Sequence, residues 1–143
     1  MPFLNDSFDC IYSGGVIHHT VTEIAFKEIN RVLKKGGKFS AVDPFKMPFY
    51  DIGTKIFGKR EIDVFCRPID KKRIKQFEKH FKNIIINYYG LFFRYFVIAL
   101  EKIGISFSNK TVRKIQKFDK IISNLLPFTK NKGSSIVFCG CKK

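Results

Sequence analysis

The side chains best suited to chemistry in the first third of the chain are His18 and His19, which follow Ser13-Gly14-Gly15-Val16-Ile17, and Asp43, which precedes Pro44. A neutral imidazole can accept a proton from an attacking hydroxyl or amine. Consecutive helical positions diverge by about 100°, so at most one of the two histidines faces inward. The plainer reading is a helix-start histidine with packing or capping duties. Adjacent histidines give poor bidentate geometry and no third ligand lies nearby in sequence, so no metal site is expected. Gly14 and Gly15 let backbone approach a ligand closely. No nucleophile elbow, phosphate loop or zinc spacing competes with these residues.

The surrounding pattern states how they are positioned. Phe8 to Ser13 is a short apolar run stopped by Gly14-Gly15, as in a buried strand. Thr20-Val21-Thr22-Glu23 has the form of a capping box. Val21, Ile24, Ala25, Ile29 and Val32 then recur at helical spacing, Lys34-Lys35 suit a helix C-terminus, and Gly36-Gly37 supply a left-handed stop. Lys38 to Val42 reads as the next strand, ended by Asp43-Pro44. Strand, helix and strand make a βαβ unit with parallel strands. Ligands of such sheets lie beyond the carboxyl ends of the strands, which puts Ser13 to His19 and Asp43-Pro44 at the expected site.

Farther on, Asp70 can cap a helix carrying Ile74, Phe77 and Phe81, and Ile84 to Tyr89 reads as a strand. Leu91 to Ile103 and Lys110 to Leu126 read as helices, and Ser134 to Cys141 as a final strand.

The chain has 143 residues, 45% of them hydrophobic, enough for one globular domain without disulfides or a structural metal. Leu91 to Leu100 is too short for a membrane span and contains Arg94. The first residues lack a basic stretch followed by an apolar one, so a cytosolic location is the expectation. Cys10, Cys66, Cys139 and Cys141 form no C-x-x-C pair and read as reduced, buried small hydrophobes. The net charge of +15 is uneven: residues 1 to 30 hold one Lys against Asp6, Asp9, Glu23 and Glu28. A base-rich remainder suits an anionic partner, although 21 of the 27 bases are Lys, a mixture that A- and T-rich coding also yields.

Pro2-Phe3 through Ser7-Phe8-Asp9, then Ser13 to His19, then Glu28-Ile29-Asn30-Arg31-Val32-Leu33-Lys34-Lys35-Gly36-Gly37 match in type, order and spacing. Over residues 2 to 44 the chain resembles the class I S-adenosylmethionine-dependent methyltransferases, in their type 11 domain. The resemblance implies an α/β, Rossmann-like fold of which residues 1–143 are the C-terminal part of a single domain. Phe8 to Ser13 would be the fourth of seven strands, Lys38 to Val42 the fifth, and the last strand would insert antiparallel. Residues 45 to 133 match in element order only. S-adenosylmethionine is the implied cofactor, lined by Phe3, Ser13, Gly14, Gly15 and Val16, with the glycine turn beside its methionine part. His18 or His19 would face a small-molecule methyl acceptor, and Asp43 and Pro44 would edge its pocket. Lys35 replaces the Pro that usually precedes the two glycines.

The family's first half, with its glycine-rich turn and ribose-holding acid, has no counterpart: neither glycine pair lies in a G-x-G-x-x-G context. Weak or no cofactor affinity is therefore expected of these residues alone, along with an exposed strand edge at Phe8 to Ser13. A non-catalytic module complementing another chain is the rival reading. An RNA-binding or RNA-methylating protein is a weaker one, since no RNA-binding motif accompanies the charge.

More than forty residues separate the last two expected strands, so 91–132 reads as a helical insertion covering the substrate side. In its second helix Val112, Ile115, Phe118, Ile122 and Leu125 form one stripe, and Arg113, Lys117 and Lys120 another. That pattern is found both in ordinary cover helices and at membrane surfaces. The functional reading is peripheral membrane contact through 110–126 and a bulky, apolar or lipid-like acceptor.

Overall fold

A computed structural model describes residues 1–46, 67–90, 97, 100, 101, 103–126 and 133–143. The expected helix over Leu91 to Ile103 lies largely outside these residues, as do Cys66 and part of the 91–132 insertion. The elements in chain order are β1 (Phe8–Gly14), a 3-10 turn (Ile17–His19), α1 (Thr22–Val32), β2 (Leu33–Pro44), α2 (Lys71–His80), β3 (Phe81–Tyr89), α3 (Asn109–Leu125) and β4 (Ser135–Lys142). By contact, residues 1–45, 67–87 and 136–143 form one unit, and Lys46 with the described residues from 88 to 135 belongs to another.

The strands form one sheet in the order β1-β2-β4-β3. β1 and β2 are parallel, with Cys10 opposite Lys38 and Gly14 opposite Val42. β4 runs against its neighbours: Gly133, just before it, lies beside Tyr89, the last residue of β3, while Gly140 lies beside Phe81, the first. On its other side, Lys142 donates from Nζ to the carbonyl of Leu33, where β2 begins. The expected antiparallel insertion of the last strand is present. β1 stands at the sheet edge, with Asp9, Cys10 and Tyr12 exposed. The cysteine reading needs correction there: Cys10 is free but exposed, and Cys139 and Cys141 are free but only part-buried.

α1 ends at Val32, before the two lysines expected in its last turn. Leu33 already pairs with Phe8, and the register then slips before Cys10 meets Lys38, so Lys34 to Gly37 bulge from the strand. Gly36 sits at φ 75°, the left-handed value its residue type favours.

The capping box does not form. The N-cap is Val21, with no side-chain cap, and the Thr20 hydroxyl donates instead to the carbonyl of Ile17, closing the 3-10 turn. Glu23 reaches across to His80, with 3.3 Å between its Oε1 and the ring Nε2. The buried face of α1 is also shifted from the expected stripe: Thr22, Phe26, Ile29 and Val32 are inside, whereas Val21 and Ile24 are exposed.

The shift follows from the core, which is aromatic. Phe26 meets Phe77, Phe81, Phe138 and Phe39 at ring-centroid distances of 5.4 to 6.4 Å, all edge-on, a favourable arrangement of ring quadrupoles. Phe77 and Phe81 stack at 4.6 Å across the junction of α2 and β3. Phe81 thus opens a strand instead of ending a helix. Asp70 caps α2 as expected, its carboxylate accepting from the Arg73 amide at 2.8 Å. No helix among the described residues is long and apolar enough to cross a membrane.

Candidate active site

β1 and β2 end side by side, and the chain leaving β1 folds back over the end of β2. Gly15 makes the turn at φ 66° and donates its amide to the carbonyl of Val42 at 2.8 Å. A Cβ placed on Gly15 would meet nothing within 4 Å. The backbone of Gly15 therefore faces open space at the carboxyl end of a parallel strand, whereas a Cβ on Gly14 would stand 3.3 Å from the Tyr12 hydroxyl; both glycines and Val16 are exposed.

The two histidines differ in burial. His18 is buried and His19 exposed, although their rings lie 3.9 Å apart. His18 is held by Asp43, the next residue after the Gly14–Val42 pairing. Asp43 Oδ1 accepts the His18 backbone N–H at 3.0 Å and the ring Nδ1–H at 2.6 Å. A carboxylate only accepts, so Nδ1 carries the proton of this bond and Nε2 points away from Asp43 Oδ1. Asp43 is 1% exposed, and its Oδ2 and the Ser13 Oγ are buried without a hydrogen-bond partner.

Two arginines absent from the sequence reading complete the frame. The Arg67 amide donates to the His18 carbonyl at 3.0 Å. The Arg73 guanidinium donates to the carbonyls of His18, Thr20 and Arg67. Their contacts to the His18 and Thr20 carbonyls come from more than forty residues away and leave no local sequence signal. The Asp43–His18 pair was within reach, because the parallel register puts Asp43 one step beyond Gly14's partner.

Of the residues expected to line a cofactor, Ser13, Gly14, Gly15 and Val16 are contiguous at the turn. Phe3 is not brought to them: its ring packs edge-on against Phe8 at 4.9 Å, at the opposite end of β1. Pro44 follows Asp43, and its carbonyl accepts from the Ile69 amide at 2.8 Å.

Residues 1–41 match the family model described as a methyltransferase domain. Across all of the chain the backbone superposes on a SAM-dependent methyltransferase of Thermotoga maritima with a TM-score of 0.62 at 16% identity, covering 60% of that protein. The fold is that of a class I methyltransferase domain. The same methyltransferase fold is seen in the geranyl diphosphate C-methyltransferase of Streptomyces coelicolor, solved with Mg2+, geranyl diphosphate and S-adenosyl-L-homocysteine. There the TM-score is 0.55 at 13% identity, over 100% of this chain and 50% of that one. A protein of Encephalitozoon cuniculi, named only provisionally as a methyltransferase, is 52% identical over 42 residues, 27% of this chain and 20% of its own length. The chain thus spans only part of the methyltransferases it matches. The open backbone of Gly15 leaves room for one side of a cofactor, and the chain supplies no G-x-G-x-x-G turn.

Proposed function

We propose that the chain contributes the acceptor side of an S-adenosylmethionine-dependent methyltransferase site. The observation carrying this reading is the buried Asp43–His18 pair beside the open backbone of Gly15, at the carboxyl ends of two parallel strands. Bound S-adenosylmethionine supplies a methyl group already activated on a sulfonium. The chain's own residues then have to bind and align, since alignment supplies most of the rate of a single displacement. Ser13 to Val16 line the methionine part. Asp43 positions His18 by holding both its amide and its ring, and His18 Nε2 or the exposed His19 takes the proton of an acceptor hydroxyl or amine. Asp43 and Pro44 edge the acceptor pocket.

An apolar, lipid-like acceptor is the favoured substrate class. The Streptomyces relative, with geranyl diphosphate bound, is a precedent within the fold.

The test is calorimetric titration of the folded chain with S-adenosylhomocysteine, followed by transfer of labelled methyl groups to prenyl and fatty acyl acceptors. Binding that is lost in Gly15→Val, with transfer reduced in both His18→Ala and His19→Ala or in one of them, is the expected result. Full transfer by both histidine variants would remove the proton-accepting role. A folded chain with no affinity for S-adenosylhomocysteine would favour the second reading, a non-catalytic module that completes another chain. That reading is motivated by the lack of a G-x-G-x-x-G turn in 143 residues.

A further inference from the structure

The helix α3 carries its apolar residues in two separate places. Val112, Ile115, Ile122 and the buried Asp119 lie on the inward side, while Phe118, Ile121 and Leu125 are 53%, 56% and 72% exposed. The single stripe expected from sequence, which ran through Phe118 and Leu125, is corrected by this division. Spacings of three and four residues place Phe118, Ile121 and Leu125 on one ridge, within about 60° of each other around the axis. Lys110, Lys114 and Lys117 border that ridge, and Arg113 and Lys120 follow on the same side. The only acid of the helix, Asp119, is turned away and 3% exposed. Ile103 and Ile105, which precede the helix in the same unit, are exposed as well.

We propose that this ridge of α3 docks on the surface of an anionic lipid bilayer. Bulky apolar side chains that stand out beside a row of lysines suit the headgroup boundary. The apolar ridge enters the acyl edge while the lysine stems run upward and leave their ammonium groups at the phosphates. The charge argument selects the lipid over two rivals. A second copy would bring the same lysines face to face, with no exposed acid on the helix to answer them. A single-stranded nucleic acid would be expected to find several stacking aromatics, and Phe118 is the one aromatic of the helix. The helix is too short and too charged to cross the bilayer, so it would lie in the interface plane. This docking is independent of methyl transfer.

The experiment is cosedimentation of the full 143-residue chain with vesicles of phosphatidylcholine, alone or mixed with phosphatidylserine. Binding to the mixed vesicles, weakened by salt and marginal on phosphatidylcholine alone, is the expected result. A basic residue close to an anionic surface is worth roughly five-fold in binding, so Lys114→Gln with Lys117→Gln should weaken it roughly thirty-fold. Ile121→Ser with Leu125→Ser, both on exposed positions, should weaken it by roughly tenfold or more while circular dichroism shows the helix retained. Absence of binding to mixed vesicles overturns the proposal, and so does binding that neither double variant alters. A dimer in sedimentation velocity, or RNA retention on a filter, in a chain that ignores the vesicles overturns it in favour of the corresponding partner.

Discussion

Asp43 Oδ1 receives both the backbone N–H and the ring Nδ1–H of His18, at 3.0 and 2.6 Å, while Oδ2 of the same carboxylate meets no hydrogen-bond partner. One side chain thus sets the path of the loop after β1 and the tautomer of the ring upon it. Replacing it by Ala leaves a buried amide and a buried ring nitrogen unsatisfied. Asp43→Ala is expected to lose about 1–3 kcal/mol of stability, measured by urea denaturation, with the larger effect on any methyl transfer. An unchanged midpoint and unchanged transfer would show that the pair neither holds the loop nor orients the ring.

Gly15 provides a separate handle on the same loop. Its φ of 66° disfavours a side chain, yet nothing stands within 4 Å of the missing Cβ. The cost of Gly15→Ala is therefore conformational alone, about 1–2 kcal/mol. A larger loss in thermal or urea unfolding would reveal a contact made by the added methyl group.

Hydrogen bonding from Arg31 in the first place, and from the Met1 ammonium in the second, holds the Glu28 carboxyl down from 4.5 to about 2. A carboxyl depressed in the folded state stabilises it above the ordinary value, and the contribution fades as pH falls toward the depressed one. The stability advantage of the native chain over Glu28→Gln is expected to be present at neutral pH and to shrink between pH 4.5 and 2. A gap that stays constant across that window in parallel urea titrations contradicts it.

Phe26 touches four other phenylalanine rings, so its removal leaves a void that the rigid sheet cannot fill. Phe26→Ala should cost about 3–5 kcal/mol, and Ile24→Ala, on the exposed side of the same helix, less than about 1. Similar losses for the two in urea unfolding would mean that Ile24 is covered in solution.

Much of the sheet could be read in advance because its signals are local. Gly14-Gly15 and Gly36-Gly37 bracket a helix between two apolar runs, and Asp70 caps the next one. What failed depended on distant partners. Ile24 and Phe26 are both apolar on the same helix, and the choice between them is made by Phe39, Phe77 and Phe138 on other elements. Thr20 satisfies a carbonyl behind it, which no capping pattern records. At the site, Ser13 to Val16 and Asp43 follow from topology; His18 is buried and His19 exposed, but their rings stay 3.9 Å apart, which helical divergence alone does not give. Arg73 could not be foreseen, since its guanidinium recognises backbone carbonyls, which every residue carries.

The placing of β4 between β2 and β3 has a consequence for how the chain reaches this arrangement. The contact from Lys142 to Leu33 joins residues 109 apart in sequence. Until that loop closes, β2 and β3 have no strand between them and each presents bare amides and carbonyls to other molecules. Closing so long a loop is slow relative to forming the local βαβ unit. The molecule should therefore pass through a state with its first two strands paired and the sheet still split. In that state, self-association competes with folding, and dilution or a chaperone that shields strand edges should raise the yield of folded protein.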